Sequence, residues 1–256
     1  MHNRLINSLE LSGRVPTLET AHHQTSSELS HFENQVCLFG PERYEAKYDY
    51  PLVVWLHSSN SDEHELESVM PVLSLQNYVA CAPRGTIACD PAGKRFRWGQ
   101  SEAAIAIAEE VLFDAIQCAS SHFSIDHKRI FLAGFGSGAT TAWRVALRYP
   151  SRFAGIISVC GDFPSTQRPL NNLVAARELP MLWMFGAESE SCGITQVCEA
   201  LPVLHAARLT VDIRQYPCGD ELLTNMLSDM NSWIMERVTN QPATYDETPE
   251  AMFSNN

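Results

Sequence analysis

The stretch from Arg129 to Pro150 limits the fold more than any other part of the chain. Arg129–Ala133 (RIFLA) is an apolar run of strand character. It passes through three alternate glycines, Gly134, Gly136 and Gly138, directly into a helical pattern. In that pattern Ala142, Val145, Ala146 and Tyr149 fall on one face, and Pro150 ends it. A strand that turns within a few residues into a helix cannot be half of a β-hairpin. It is the first part of a strand–helix–strand crossover, which implies parallel strands.

The rest of the chain repeats this grammar. Pro51–Leu56 is apolar without alternation, as a strand buried on both faces should be. Tyr78–Ala82, Ala154–Val159 and Leu179–Phe185 read likewise, while Leu209–Tyr216 alternates as an edge strand does. Helices are expected over Ser101–His122, with Ser101 as N-cap, and over Thr195–Ala207 and Glu221–Val238. Alternating strands and helices specify an α/β protein, with a mostly parallel twisted sheet flanked by helices. Its functional site is expected at the carboxyl ends of the strands.

One domain spans 34–238. Residues 1–33 are polar and read as a loosely ordered N-terminal arm, and 239–256 as a disordered acidic tail. At 45% hydrophobic, the 256 residues are enough for one core. With 18 basic against 30 acidic residues the net charge is -12, which disfavours nucleic acid and anionic membranes as partners. No apolar run reaches the ~18 residues of a membrane span. The eight cysteines form no Cys-x-x-Cys pair and show no zinc spacing, so neither a metal nor a cofactor is assigned. Free thiols and the lack of a signal-like start suggest the cytoplasm. The oligomeric state is left open.

Strand, glycine turn and helix together have the shape of a nucleophile elbow, G-x-S-x-G. The segment from Leu132 to Gly155 carries most of a resemblance to α/β-hydrolases of the carboxylesterase, phospholipase and polyhydroxybutyrate-depolymerase type. Trp55–His57, Ala82–Thr86 and Tyr216–Gly219 add to it, and it extends over about residues 48 to 237. The resemblance implies carboxylic ester hydrolysis by a Ser, acid and His triad. The three positions depart from that expectation. Gly134 and Gly138 as outer glycines put Gly136 where the serine belongs. The acid position after the fifth strand reads Ser189, with Glu188 and Glu190 beside it as substitutes. The histidine position reads Asp220, which is also suited to capping the final helix.

An oxyanion or ligand-binding role falls to Ser58, Ser59 and Ser137, with the N–H groups of Ser59 and Ser137 as donors. Ser137 also reads as an ordinary first-turn residue of its helix. Arg84 and Lys94–Trp98 form a basic-aromatic cluster that suits either an anionic ligand or an inward-packed Trp98. Asp62–Glu67 reads as an acidic helix start without a metal site. Three functions follow. The first is a catalytically inactive pseudohydrolase that binds a small acyl or ester ligand, or a protein. The second is an active serine esterase with a relocated triad of Ser137, His57 and Glu188 or Glu190. The third is a protein-interaction scaffold using its acidic tail.

Overall fold

The computed structural model describes residues 35–164 and 172–239, together with the backbone of Leu5–Ile6. The remainder of the expected arm and nearly all of the expected tail lie outside the described residues.

The main sheet has eight strands in the order β1-β2-β4-β3-β7-β8-β9-β10. They are β1 (Leu5–Ile6), β2 (Val36–Phe39), β3 (Tyr50–Leu56), β4 (Val79–Pro83), β7 (Ile125–Phe135), β8 (Gly155–Val159), β9 (Met181–Gly186) and β10 (Val211–Tyr216). β1 and β2 run antiparallel to their neighbours, and all other pairs are parallel. The short strands β5 (Ile87–Ala88) and β6 (Phe96–Arg97) make a separate hairpin. The helices are α1 (Glu65–Leu73), α2 (Glu102–His122), α3 (Ser137–Arg148), α4 (Leu173–Ala176), α5 (Ile194–Ala207) and α6 (Thr224–Thr239). This is the α/β architecture that the alternating pattern implies.

A buried core lies on each face of the sheet. Leu52, Val54 and Leu56 of β3 belong to one core with Leu112 of α2, Trp143 of α3 and Leu204 of α5. Val53 and Trp55 belong to the core on the other face, with Val69 of α1 and Trp233 of α6. Because β3 buries both faces, every one of its residues is buried, which is why the sequence shows no alternation there. Each such Leu or Val contributes roughly 1.5–3 kcal/mol by leaving water. β10 pairs only with β9 and shows the mixed exposure of an edge. It is pinned to α6 through Asp212, which accepts from Trp233 Nε1 at 2.7 Å and Arg237 Nη2 at 3.1 Å.

Several boundaries differ from the sequence expectation. The final helix starts at Thr224 rather than Glu221 and runs to Thr239, one residue past the expected domain end. β7 begins at Ile125, because a register shift against β3 lets the Asp126–Lys128 segment, exposed at His127 and Lys128, continue the strand. β2 is a four-residue antiparallel strand ended by Gly40, too short to stand out by periodicity. Leu5–Ile6, inside the expected loose arm, adds a two-residue strand at the sheet edge.

Candidate functional site

The corner between β7 and α3 is shaped by contact distances. A Cβ on Gly134 would lie 2.7 Å from the Gly138 carbonyl carbon, and one on Gly138 would lie 2.1 Å from Leu56 O. Neither position tolerates a side chain. Gly136 differs: the nearest atom to its Cβ would be Ser58 Cβ at 4.0 Å, so there is room. Its backbone, at φ 55° and ψ −119°, is one that side-chain-bearing residues rarely adopt. Ser137 follows as the first residue of α3 and carries the hydroxyl next to the corner.

Ser58 and Ser59 lie opposite, after β3. Glu65 of α1 holds this segment. Its carboxylate accepts from Ser58 N–H at 3.1 and 3.2 Å, from Ser58 Oγ at 2.7 Å and from Trp55 Nε1 at 2.9 Å. Ser58 N–H is therefore committed. Ser59 Oγ donates to Ser137 Oγ at 2.9 Å, which ties the two walls together. Among the described residues, the backbone N–H groups of Ser59 and Ser137 have no hydrogen-bond partner. Their donors thus remain available to a carbonyl oxygen.

His57 is not available as a base. It is fully buried, its Nε2 accepts from Gly85 N–H at 2.8 Å, and its Nδ1 donates to Ser58 O at 2.7 Å. Burial lowers its pKa, although nearby Ser58 O and the carboxylates of Glu65, Glu63 and Asp62 pull the other way. The ring is a neutral strut between two loops. Trp98 also packs inward, donating from Nε1 to His57 O at 3.1 Å. Arg84 is drawn into an ion pair with the buried Glu63, with Nε at 2.8 Å from Oε2, and stacks 4.9 Å from the Phe96 ring centroid. Its best-defined bonds thus serve the fold, as does Trp98, and neither residue lines the cleft.

The far wall comes from the loops after β9 and β10. Ser189 and Ser191 both donate their hydroxyls to the Asp220 carboxylate, which also accepts from Glu190 N–H at 3.2 Å and Ser191 N–H at 3.3 Å. Ser189 and Asp220, 31 residues apart, are thus direct partners. Partial burial works to raise the Asp220 pKa, but these hydrogen bonds outweigh it and hold the carboxyl below its usual value. Asp220 does not cap the final helix, which starts four residues later; it caps the preceding loop instead. Glu188 and Glu190 are exposed, and neither lines the cleft.

The cleft between these walls has a volume of about 500 Å³. Residues that the sequence does not single out complete it: Gln100, Phe135, Thr140, Cys160 and Asp162. Gln100 Nε2 binds Thr141 Oγ1 at 3.0 Å and so fixes the first turn of α3 from outside. Cys160 sits at φ 49°, and burial pushes its thiol up to about 11, so it is a protonated thiol and not a nucleophile near neutral pH. Among the described residues that line the cleft there is no histidine. The site offers hydroxyls, two free N–H groups, two carboxylates (Asp162 and Asp220) and an apolar patch at Phe135. It offers donors for a carbonyl oxygen, and burial raises the Asp162 carboxyl above its usual value, but among the described lining residues no imidazole stands beside Ser137.

The family model for Phospholipase/Carboxylesterase matches residues 95–237. Among solved structures, SOBER1 from Arabidopsis thaliana superposes with a TM-score of 0.61 at 19% identity, over 74% of this chain and 99% of its own. A Bacillus cereus carboxylesterase gives 0.64 at 15% identity, over 82% and 99%. A carboxylesterase from Mesorhizobium loti gives 0.62 at 18%, over 78% and 93%. These similarities concern the fold. Among the described residues no helix is long and apolar enough to cross a membrane.

Proposed function

The chain belongs to the phospholipase/carboxylesterase family of α/β-hydrolases, and from that we propose that it is a non-hydrolytic member that holds a small acyl or ester ligand in its cleft. The observation that carries this reading is Gly136. The corner keeps its two sterically obligatory glycines and its unusual backbone, but the residue at its apex has no side chain. The base position supports the same conclusion. Asp220 is an acid held below the usual carboxyl range, and so a weak proton acceptor at neutral pH.

A bound ester would direct its carbonyl oxygen at the N–H groups of Ser59 and Ser137, with its acyl chain toward Phe135. Such donors alone provide about 10³–10⁴-fold over the uncatalysed reaction when a triad is removed. That is far below the turnover of an intact hydrolase. The relocated triad is not favoured, since His57 is locked at both nitrogens and Ser137 is paired with Ser59.

The test is incubation with a fluorophosphonate probe and with short-chain p-nitrophenyl esters, alongside equilibrium titration with the same esters. Saturable binding without labelling or turnover is expected. Stoichiometric labelling of Ser137, or turnover abolished by Ser137→Ala, would overturn the proposal.

A further inference from the structure

Outside the cleft, on the face of the sheet covered by α1 and α6, Cys37 of β2 lies buried within the core. The start of α1 brings His64 and Glu67 over it. A ligand atom from each of the three, one sulfur, one imidazole nitrogen and one carboxylate oxygen, lies within 4.8 Å of the other two. We propose that Cys37, His64 and Glu67 are a binding site for one divalent transition-metal cation of the zinc class.

The donor set selects the ion. Thiolate and imidazole favour a borderline-soft cation such as zinc over magnesium or calcium, which demand oxygen. Bond lengths of about 2.0–2.3 Å around zinc require ligand atoms roughly 3.3–3.8 Å apart, within side-chain rotation of the observed spacing. His64 and Glu67 are partly exposed, so an ion has a route in and a fourth position open to water.

The surroundings match those of ligating histidines. His64 Nδ1 faces Glu67 Oε1 at 2.8 Å, while Nε2 faces Glu63 Oε1 at 3.7 Å. Glu63 is fixed in turn by Arg84. An ion bound at Nδ1 would replace the proton shared with Glu67 and leave Nε2 3.7 Å from the Glu63 carboxylate, within a side-chain rotation of hydrogen-bond reach. That is the usual outer partner of a metal-bound imidazole. Burial first, and then the carboxylates of Glu67, Glu63 and Asp62, push the Cys37 thiol up to about 12, so without an ion it stays protonated; the same carboxylates supply a negative potential that favours a cation. Binding converts the Cys37 thiol to a thiolate and releases its proton to solvent; no electron is transferred.

The experiment uses the full chain with Cys89→Ser and Cys198→Ser, which remove the two exposed thiols. Titration with Co²⁺ is expected to give a sulfur-to-cobalt charge-transfer band that saturates at one ion per chain and is displaced by Zn²⁺. Cys37→Ser should abolish the band. His64→Ala and Glu67→Gln, at partly exposed positions that leave the core intact, should each weaken Zn²⁺ binding by at least ~10-fold, as loss of lesser, outer-shell partners does. Zn²⁺ should also raise the melting temperature of the parent and not of His64→Ala. Absence of saturable binding, or binding unaffected by the His64 and Glu67 substitutions, would overturn the site.

Discussion

Three glycines at one corner carry different loads. At Gly138 a methyl group would sit 2.1 Å from a backbone oxygen of β3, so Gly138→Ala should destabilise by more than ~4 kcal/mol or prevent folding. Gly136→Ser meets no such obstacle and pays only for its positive φ, about 1–3 kcal/mol, so it should fold. Denaturant midpoints of the two variants distinguish these costs. Alone, Gly136→Ser should stay inactive on p-nitrophenyl esters. Combined with Ser189→Asp and Asp220→His it should gain turnover, because Ser189 and Asp220 are already in contact. The glycine spacing is readable from the sequence because its cause is local: a tight turn between adjacent elements. The partners of Asp220 are not, because they arrive from a loop 31 residues earlier. The same distance effect hides Cys37 from His64, 27 positions away, although the acidic run beside His64 is plain to see.

At the level of elements, α1 does more than cover the sheet. Through Glu65 it positions the segment that bears Ser58 and Ser59. Glu65→Ala should leave the Trp55 indole and Ser58 N–H without acceptors, at a cost of about 1–3 kcal/mol. It should also speed amide exchange at Ser58–Ser61. Glu63, two residues earlier and ahead of the helix, clamps Arg84, which stacks on Phe96 of the β5–β6 hairpin. Burial works to raise the Glu63 pKa, but the hydrogen bonds and charge of Arg84 prevail and hold it below the usual glutamate value. A carboxyl depressed in the folded state stabilises above its unfolded pKa and loses that contribution as pH falls through the folded value. Stability measured by denaturant should therefore drop below about pH 4.5, and Glu63→Gln should flatten that acid limb while lowering stability at neutral pH. Strong helices and the two-face-buried strands are legible because their pattern is long. β2 and the β5–β6 hairpin escape notice because four and two residues carry no period.

Across the whole molecule, the alternating strand and helix pattern is enough to define a sheet with a core on each face, since every inner strand announces its burial on both sides. The cleft follows from that topology, as the loops after β3, β7, β8, β9 and β10 all end on one rim. A net charge of -12 adds mutual repulsion between copies at neutral pH. Solubility should pass through a minimum near the isoelectric point of 5.1, which a pH series of supernatant concentrations would reveal.

Both rims are braced before anything enters: one hangs from the Glu65 carboxylate, the other from Asp220, and hydroxyl contact between Ser59 and Ser137 links the first to the corner. A ligand of the proposed kind would therefore meet walls that are already braced. The entropy of arranging the braced segments is met during folding, so little of the attraction to such a ligand should go into rearranging them.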